Sequence, residues 1–334
     1  MGGHPLMNMH VSTQSTTTRS PALGAAPAIP DSPTPPRMPP ATLRIRVKTS
    51  PWLRRVLPTR LVVARAARRG QRFWERSPLA REDAVAMMET IVAGTRRADE
   101  LTELARRHLI EREAANAIFW QPWVNRGIDT RSAAQLQETL SQERGVLLST
   151  CHVGPSPGAS SVVRSLGHVP YTVAGPWYFE QPTRDLWGRR LAHWRKENRG
   201  SHLIRSTGSF ATLLALLERG ECVYLCFDLP GSHQTQFLGR PTMLGDGSAR
   251  LAVQSDALVL PVHSYRVGHR ARLDVGAPLD PRLFAGADEL HDALAAVHER
   301  RMLERPEEVE DPRSFGWEAT AAEWSRPKRP DPTE

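Results

Sequence analysis

The chain lacks any apolar run of the roughly 18 to 20 residues needed to cross a bilayer. Its N-terminus also lacks the apolar core of a secretory signal, so a soluble or peripheral protein is expected, not an integral one. Cysteine is scarce. Cys151, Cys222 and Cys226 are too few for a disulfide framework and fit a reducing compartment. Cys222 and Cys226 stand four apart in an apolar run, on one face of a strand, and read as small buried apolar residues. With no second ligand pair they make no zinc site, and no metal is expected. There is no internal repeat. Acidic residues are missing altogether from 43 to 74.

What is present is positive charge, +8 net, which favours polyanionic partners such as anionic lipid or nucleic acid. Residues 1–42 are rich in Ser, Thr, Pro and Gly, too poor in apolar surface to offset their ordering entropy, and are expected to be a disordered tail. Residues 43–74 carry Arg44, Arg46, Lys48, Arg54, Arg55, Arg60, Arg65, Arg68, Arg69 and Arg72 among Trp52, Leu53, Val56, Leu57 and Leu61, and end on Phe73 and Trp74. A basic amphipathic segment with aromatic ends suits the headgroup zone of an anionic membrane, each surface cation contributing about 1 kcal/mol. A nucleic-acid patch and a solvated helix flank are the alternatives, but no nucleic-acid-binding motif follows the run, so no nucleic acid is expected. Residues 75–318 form the expected globular domain, and 319–334 a polar tail.

Within that domain, helical spacing over 79–121 places Leu101, Leu104, Ala105, His108 and Leu109 on one face, and Pro122 ends the run. A further helix is expected from Asp129 or Thr130, with Leu136 and Leu140. Strands are expected at 145–150, 168–174, 222–227 and 257–265, with 272–275 pairing beside the last. Helices intervene: one capped by Ser206 or Thr207, one over 248–254, and a final one through Leu290, Ala293, Leu294 and Val297. Alternating strands and helices imply an α/β fold with a central, mostly parallel or mixed sheet flanked by helices.

Ligands of open α/β sheets gather beyond the carboxyl ends of strands. Two strands here end in acid–base groups, one at His152 and one at Asp228. Arg189, Arg190, Arg195 and Arg199 lie between them as anion or oxyanion partners. A neutral His can take the proton of an attacking hydroxyl. Cys151 beside His152 is a poor nucleophile, because adjacent strand residues point to opposite faces. His168, His193, His202, His263 and His269 read as surface or core histidines, and Asp246-Gly247 as a turn and helix start.

The order of short motifs adds to this: Thr150-Cys151-His152-Val153-Gly154, Arg199-Gly200-Ser201-His202-Leu203-Ile204, Gly220 through Asp228, Phe237-Leu238-Gly239-Arg240-Pro241, Gly247-Ser248-Ala249-Arg250, then Val259-Leu260-Pro261-Val262. From about Arg97 to Trp317 the chain resembles the lysophospholipid acyltransferase superfamily, in its late lipid A (lauroyl/myristoyl) and phosphatidylinositol mannoside acyltransferase branch. The resemblance implies an α/β domain with an apolar groove for an acyl chain. It also implies transfer of a fatty acyl group from acyl-CoA or acyl carrier protein to a hydroxyl of a lipid, glycolipid or related acceptor. His152 matches the general base of the family's H-x4-D/E motif, and Asp228 the acid that ends the middle strand. Arg199, Ser156, Phe237 and Gly239 are the expected substrate-binding positions. No cofactor is expected beyond the thioester donor. The implied location is the cytoplasmic face of the cell membrane, with the protein held peripherally.

One departure matters. Pro157 stands where that motif has its acid. Three explanations stay open: Asp228, or failing it Glu180 or Asp246, supplies the carboxylate; Ser156 gives a weaker hydrogen bond; or the chain is an impaired homologue that binds lipid or a partner at membranes.

Overall fold

The computed structural model describes residues 50, 56–121, 130–155, 159–179, 186–197 and 201–310. The expected tails, 1–42 and 319–334, and Pro122 lie outside the described residues.

Six strands form the main sheet: β1 (Val146–Thr150), β2 (Pro170–Ala174), β3 (His202–Arg205), β4 (Cys222–Cys226), β7 (Leu258–Val267) and β8 (Arg270–Val275), in the order β3-β2-β4-β1-β7-β8. Every pairing is parallel except β7 with β8. All five residues of β1 are buried, as expected of a central parallel strand covered on both faces, and its near-continuous apolar run follows from that. Side chains alternate between two cores. Val146 and Leu148 of β1 and Cys222 of β4 face Leu136 and Leu140 of α4 (Thr130–Leu140) and Val162 and Val163 of α5 (Ala159–Ser165). Leu147 and Val223 face the larger core on the other side. That core is built by α2 (Pro78–Val92), α3 (Leu101–Phe119), α7 (Phe210–Glu218), α8 (Gly247–Ser255) and α9 (Ala287–Glu304). The expected α/β class and helix-flanked sheet are thus observed.

Several details differ from the sequence expectation. Helix α7 begins after Ser209, and neither Ser206 nor Thr207 caps it; the Ser209 hydroxyl instead donates to the Ser206 carbonyl. His202–Arg205 is an edge strand. Asp228 is followed by a separate antiparallel hairpin, β5 (Pro230–Phe237) with β6 (Arg240–Leu244). Its tip is Leu238-Gly239, both with positive φ (54° and 72°), as a two-residue turn matching strand twist requires. A non-glycine residue is strained there. Leu238 is fully buried, and its N–H donates to the Glu299 carboxylate at 2.8 Å.

The basic segment is partly built into the fold. Helix α1 (Thr59–Arg76) runs through the expected boundary at residue 74 and buries Val63, Ala66 and Gly70. Val63 packs with Ala114 and Ile118 of α3 and Ala271 of β8, and Arg69 pairs with Glu113. Its first turn and the residues just before it are apolar and open, with Val56, Leu57 and Leu61 at least half exposed. Among the described residues, no helix is long and apolar enough to cross a membrane.

Candidate active site

Strands β1 and β4 are neighbours with Thr150 opposite Cys226. The residues two positions beyond each, His152 and Asp228, therefore meet at the carboxyl edge of the sheet. Asp228 Oδ1 lies 2.9 Å from His152 Nδ1, while Oδ2 accepts the His152 backbone N–H at 2.7 Å. The carboxylate is fully buried, whereas 29% of the His152 side chain is exposed. A buried acceptor on Nδ1 fixes the tautomer in which Nε2 is the basic nitrogen. Burial pulls the His152 pKa down. The facing Cys226 and Asp228 act against it and prevail, so the net value is well above the usual 6.5.

The loop after His152 is pinned. Glu310 N–H donates to the His152 carbonyl and Gly154 N–H to the Glu308 carbonyl, at 2.9 and 2.8 Å. Gly154 has φ +71°, and a Cβ there would lie 2.1 Å from the Ser264 carbonyl oxygen, so only glycine fits this crossing over β7.

Cys226 Sγ stands 3.7 Å from Nε2 and within 4.8 Å of an Asp228 carboxylate oxygen. Cys226 is half-buried, unlike Cys151 and Cys222, and was not legible as a site residue. The period of two that puts it on the same strand face as Asp228 was the available signal. Tyr178 is a second addition. It sits in a 3₁₀ turn (Pro176–Phe179) after β2, feels the charges of Cys226 and His152, and has its phenol pushed up to about 12, chiefly by burial. A neutral phenol is a hydrogen-bond donor.

Of the arginine candidates, Arg190 and Arg195 lie on α6 (Leu186–Glu197): Arg190 lies 3.7 Å from Glu310 and donates to Asn116 at 2.6 Å, and Arg195 donates to the Tyr178 carbonyl. Arg199, Ser156, Pro157 and Glu180 lie outside the described residues. Asp246 precedes α8 and acts electrostatically on His291. The structure does not bring Phe237 and Gly239 to the ring. Phe237 is fully buried, with its ring centroid 6.2 Å from that of Phe227, where it backs the segment between Cys226 and Asp228. Gly239 packs on Gly94 and helps line a cleft of about 960 Å³ with Arg96, Gln236 and Glu299, which neither His152 nor Asp228 lines.

His152, Cys226 and Asp228 have ligand atoms within 4.8 Å of one another. Asp228 is engaged on Nδ1 and the thiol is on Nε2, so binding one ion with all three would cost the carboxylate–imidazole pair.

The chain belongs to the bacterial lipid A biosynthesis acyltransferase family, whose model matches residues 103–308 and so spans β1, β4, His152 and Asp228. Among solved structures it is similar to the 1-acyl-sn-glycerophosphate (LPA) acyltransferase PlsC from Thermotoga maritima. That likeness has 14% identity and a TM-score of 0.34, and covers 68% of this chain and 95% of that one. No curated protein matches it.

Proposed function

We propose that this protein is an acyltransferase that moves a fatty acyl group from a thioester, acyl-CoA or acyl carrier protein, to a hydroxyl of a lipid or glycolipid. His152 is the general base. The observation that carries this is the Asp228–His152 pair at the carboxyl edge of β1 and β4, in a chain of the lipid A acyltransferase family. The missing motif acid at position 157 then has a functional substitute. Asp228 orients the imidazole and stabilises it as it gains the acceptor proton, the task of an orienting carboxylate. Tyr178, whose phenol interacts electrostatically with His152, is the proposed donor to charge developing on the thioester oxygen.

The late-acyltransferase branch is the best-supported subgroup on its motif order, and the protein acts peripherally on the cytoplasmic face of an anionic membrane. The exposed Val56, Leu57 and Leu61 support the latter, beside the arginines of α1. Such a face is suited to insertion at headgroup level.

The test is transfer of label from radioactive acyl-CoA, and separately from acyl carrier protein, into total membrane lipids. Wild type should transfer label, and His152→Ala should not. Equal transfer by the two proteins would remove His152 from the mechanism. An impaired homologue would transfer nothing from either donor.

A further inference from the structure

We infer that Glu308 is a positioning residue for the proposed base: its buried carboxyl anchors a backbone strap, residues 308–310, that holds the loop carrying His152 against Asp228. The inference deepens the acyl-transfer reading and rests on it.

The strap follows α9. Pro306–Glu308 make a 3₁₀ turn, and Val309 then pairs antiparallel with Val153. Two hydrogen bonds flank that bridge, from Gly154 N–H to the Glu308 carbonyl at 2.8 Å and from Glu310 N–H to the His152 carbonyl at 2.9 Å. Val153 and Val309 are both buried in the larger core. Asp228 holds His152 by its N–H and its ring, and the strap holds the same residue by its carbonyl. Contacts at both ends of the residue remove the tilt that one end alone would leave.

The strap needs an anchor of its own, and Glu308 supplies it. Its side chain is 5% exposed. One carboxylate oxygen accepts the Arg266 N–H of β7 at 2.7 Å, and the other accepts from the Arg305 guanidinium at 2.9 Å. A carboxyl in such burial is costly unless its oxygens are paired, and here both are. Arg266 is paired in turn with Glu111 of α3, and the Glu307 carbonyl meets His108 Nδ1 of the same helix at 3.1 Å. β1 pairs with β7 as far as Pro261. Beyond that point the loop meets β7 at Ser264, through Gly154, and the strap meets it at Arg266, through Glu308. Loop and strap are thus fixed to one strand.

Burial pushes the Glu308 carboxyl up to about 7; Arg266 and Arg305 act against the rise, and the charge of Glu111 adds to it. A neutral amide of the same shape can therefore replace it. Gln keeps an oxygen for the Arg266 N–H, whereas Ala leaves the strap without its anchor.

The experiment compares full-length wild type, Glu308→Gln and Glu308→Ala, each well below its melting temperature. One readout is the titration of the His152 imidazole by nitrogen NMR, assigned with His152→Ala. The other is acyl transfer to membrane lipids from palmitoyl-CoA, and separately from palmitoyl-acyl carrier protein, resolved into kcat and KM across pH. In Glu308→Ala the imidazole loses its fixed place among Asp228, Cys226 and Tyr178. Its titration and the acid limb of kcat should both move down toward 6.5. Plateau kcat should fall on the order of tenfold to a hundredfold, with KM within roughly twofold. Glu308→Gln should match wild type in both readouts. Arg305→Ala, which removes one carboxylate partner from a half-exposed position, should shift them the same way by less, and serves if Glu308→Ala does not fold. An unmoved His152 titration in the variants lacking the anchor overturns the inference. So does a wild-type kcat there, or a Glu308→Gln that behaves as Glu308→Ala. If wild type transfers nothing from either donor, the acyl-transfer reading falls and the His152 titration alone decides the positioning.

Discussion

The Asp228 carboxylate grips His152 at two points, its ring Nδ1 at 2.9 Å and its backbone N–H at 2.7 Å. One buried acid thereby sets both the position of the loop and the orientation of the imidazole. Hydrogen bonds to an ionised group contribute about 1.5–3 kcal/mol each, so the pair is costly to break.

The pH dependence of turnover follows from this pair. The His152 pKa is raised well above 6.5, and a base works only when unprotonated. kcat/KM should therefore climb with pH through a value above 6.5. Asp228→Asn should move that limb to lower pH. A wild-type profile already flat from pH 6 upward would contradict the assignment.

Gly154→Ala should destabilise the protein by about 2 kcal/mol or more, through its positive φ and the close Ser264 carbonyl. Because Gly154 is two residues from His152, kcat should fall as well. Urea unfolding and a turnover assay on the same sample check both effects.

Helix α1 gives a membrane test separable from chemistry. Leu57→Asp with Leu61→Asp removes exposed apolar groups that pack on nothing central. Full burial of a leucine is worth about 1.5–3 kcal/mol, so binding to anionic vesicles should fall roughly tenfold or more, with the thermal melt unchanged. His152→Ala should bind vesicles as wild type does. Co-sedimentation with phosphatidylglycerol-containing vesicles reads both.

Under α9, a set of buried histidines makes the fold acid-sensitive. His298 meets Ser149 Oγ at 2.9 Å and His263 at 2.8 Å, and His291 lies beside Phe227. Burial lowers His263 to about 3, His291 to about 4 and His298 well below 6.5. Their stabilisation is complete above pH ~6.5 and is lost as pH falls from there toward the folded values, at up to about 1.4 kcal/mol per pH unit for each histidine. Glu308, raised to about 7 from 4.5, opposes this between those values, and the raised His152 opposes it only above about 6.5; three histidines outweigh them. Urea midpoints should drop between pH 7 and 5, and His291→Leu should flatten that slope. A midpoint independent of pH would contradict the account.

Much of the fold was legible because β1, β4 and β7 are covered on both faces and read as apolar runs. The β5–β6 hairpin was not. Its strand Pro230–Phe237 alternates with polar residues, and its turn uses Leu238, held by Glu299, in place of the usual Asn-Gly. His152 and Asp228 were legible as strand ends. Their meeting was not, because it depends on the adjacency and register of β1 and β4, separated in sequence by β2 and β3. Cys226 read as one of two equivalent core thiols, and only its place at the open strand end sets it apart from Cys222. Helix α1 read as a membrane segment because an apolar stripe looks the same whether lipid or α3 covers it; Val63 is covered by α3, and Leu61 is not.

The most direct measurement is acyl transfer by Asp228→Asn beside wild type, at saturating donor and in a fold verified by thermal melt. If Asp228 stands in for the acid missing at position 157, the rate should fall on the order of 10³–10⁴-fold, as for loss of an orienting carboxylate elsewhere. Turnover within a few-fold of wild type would contradict that account.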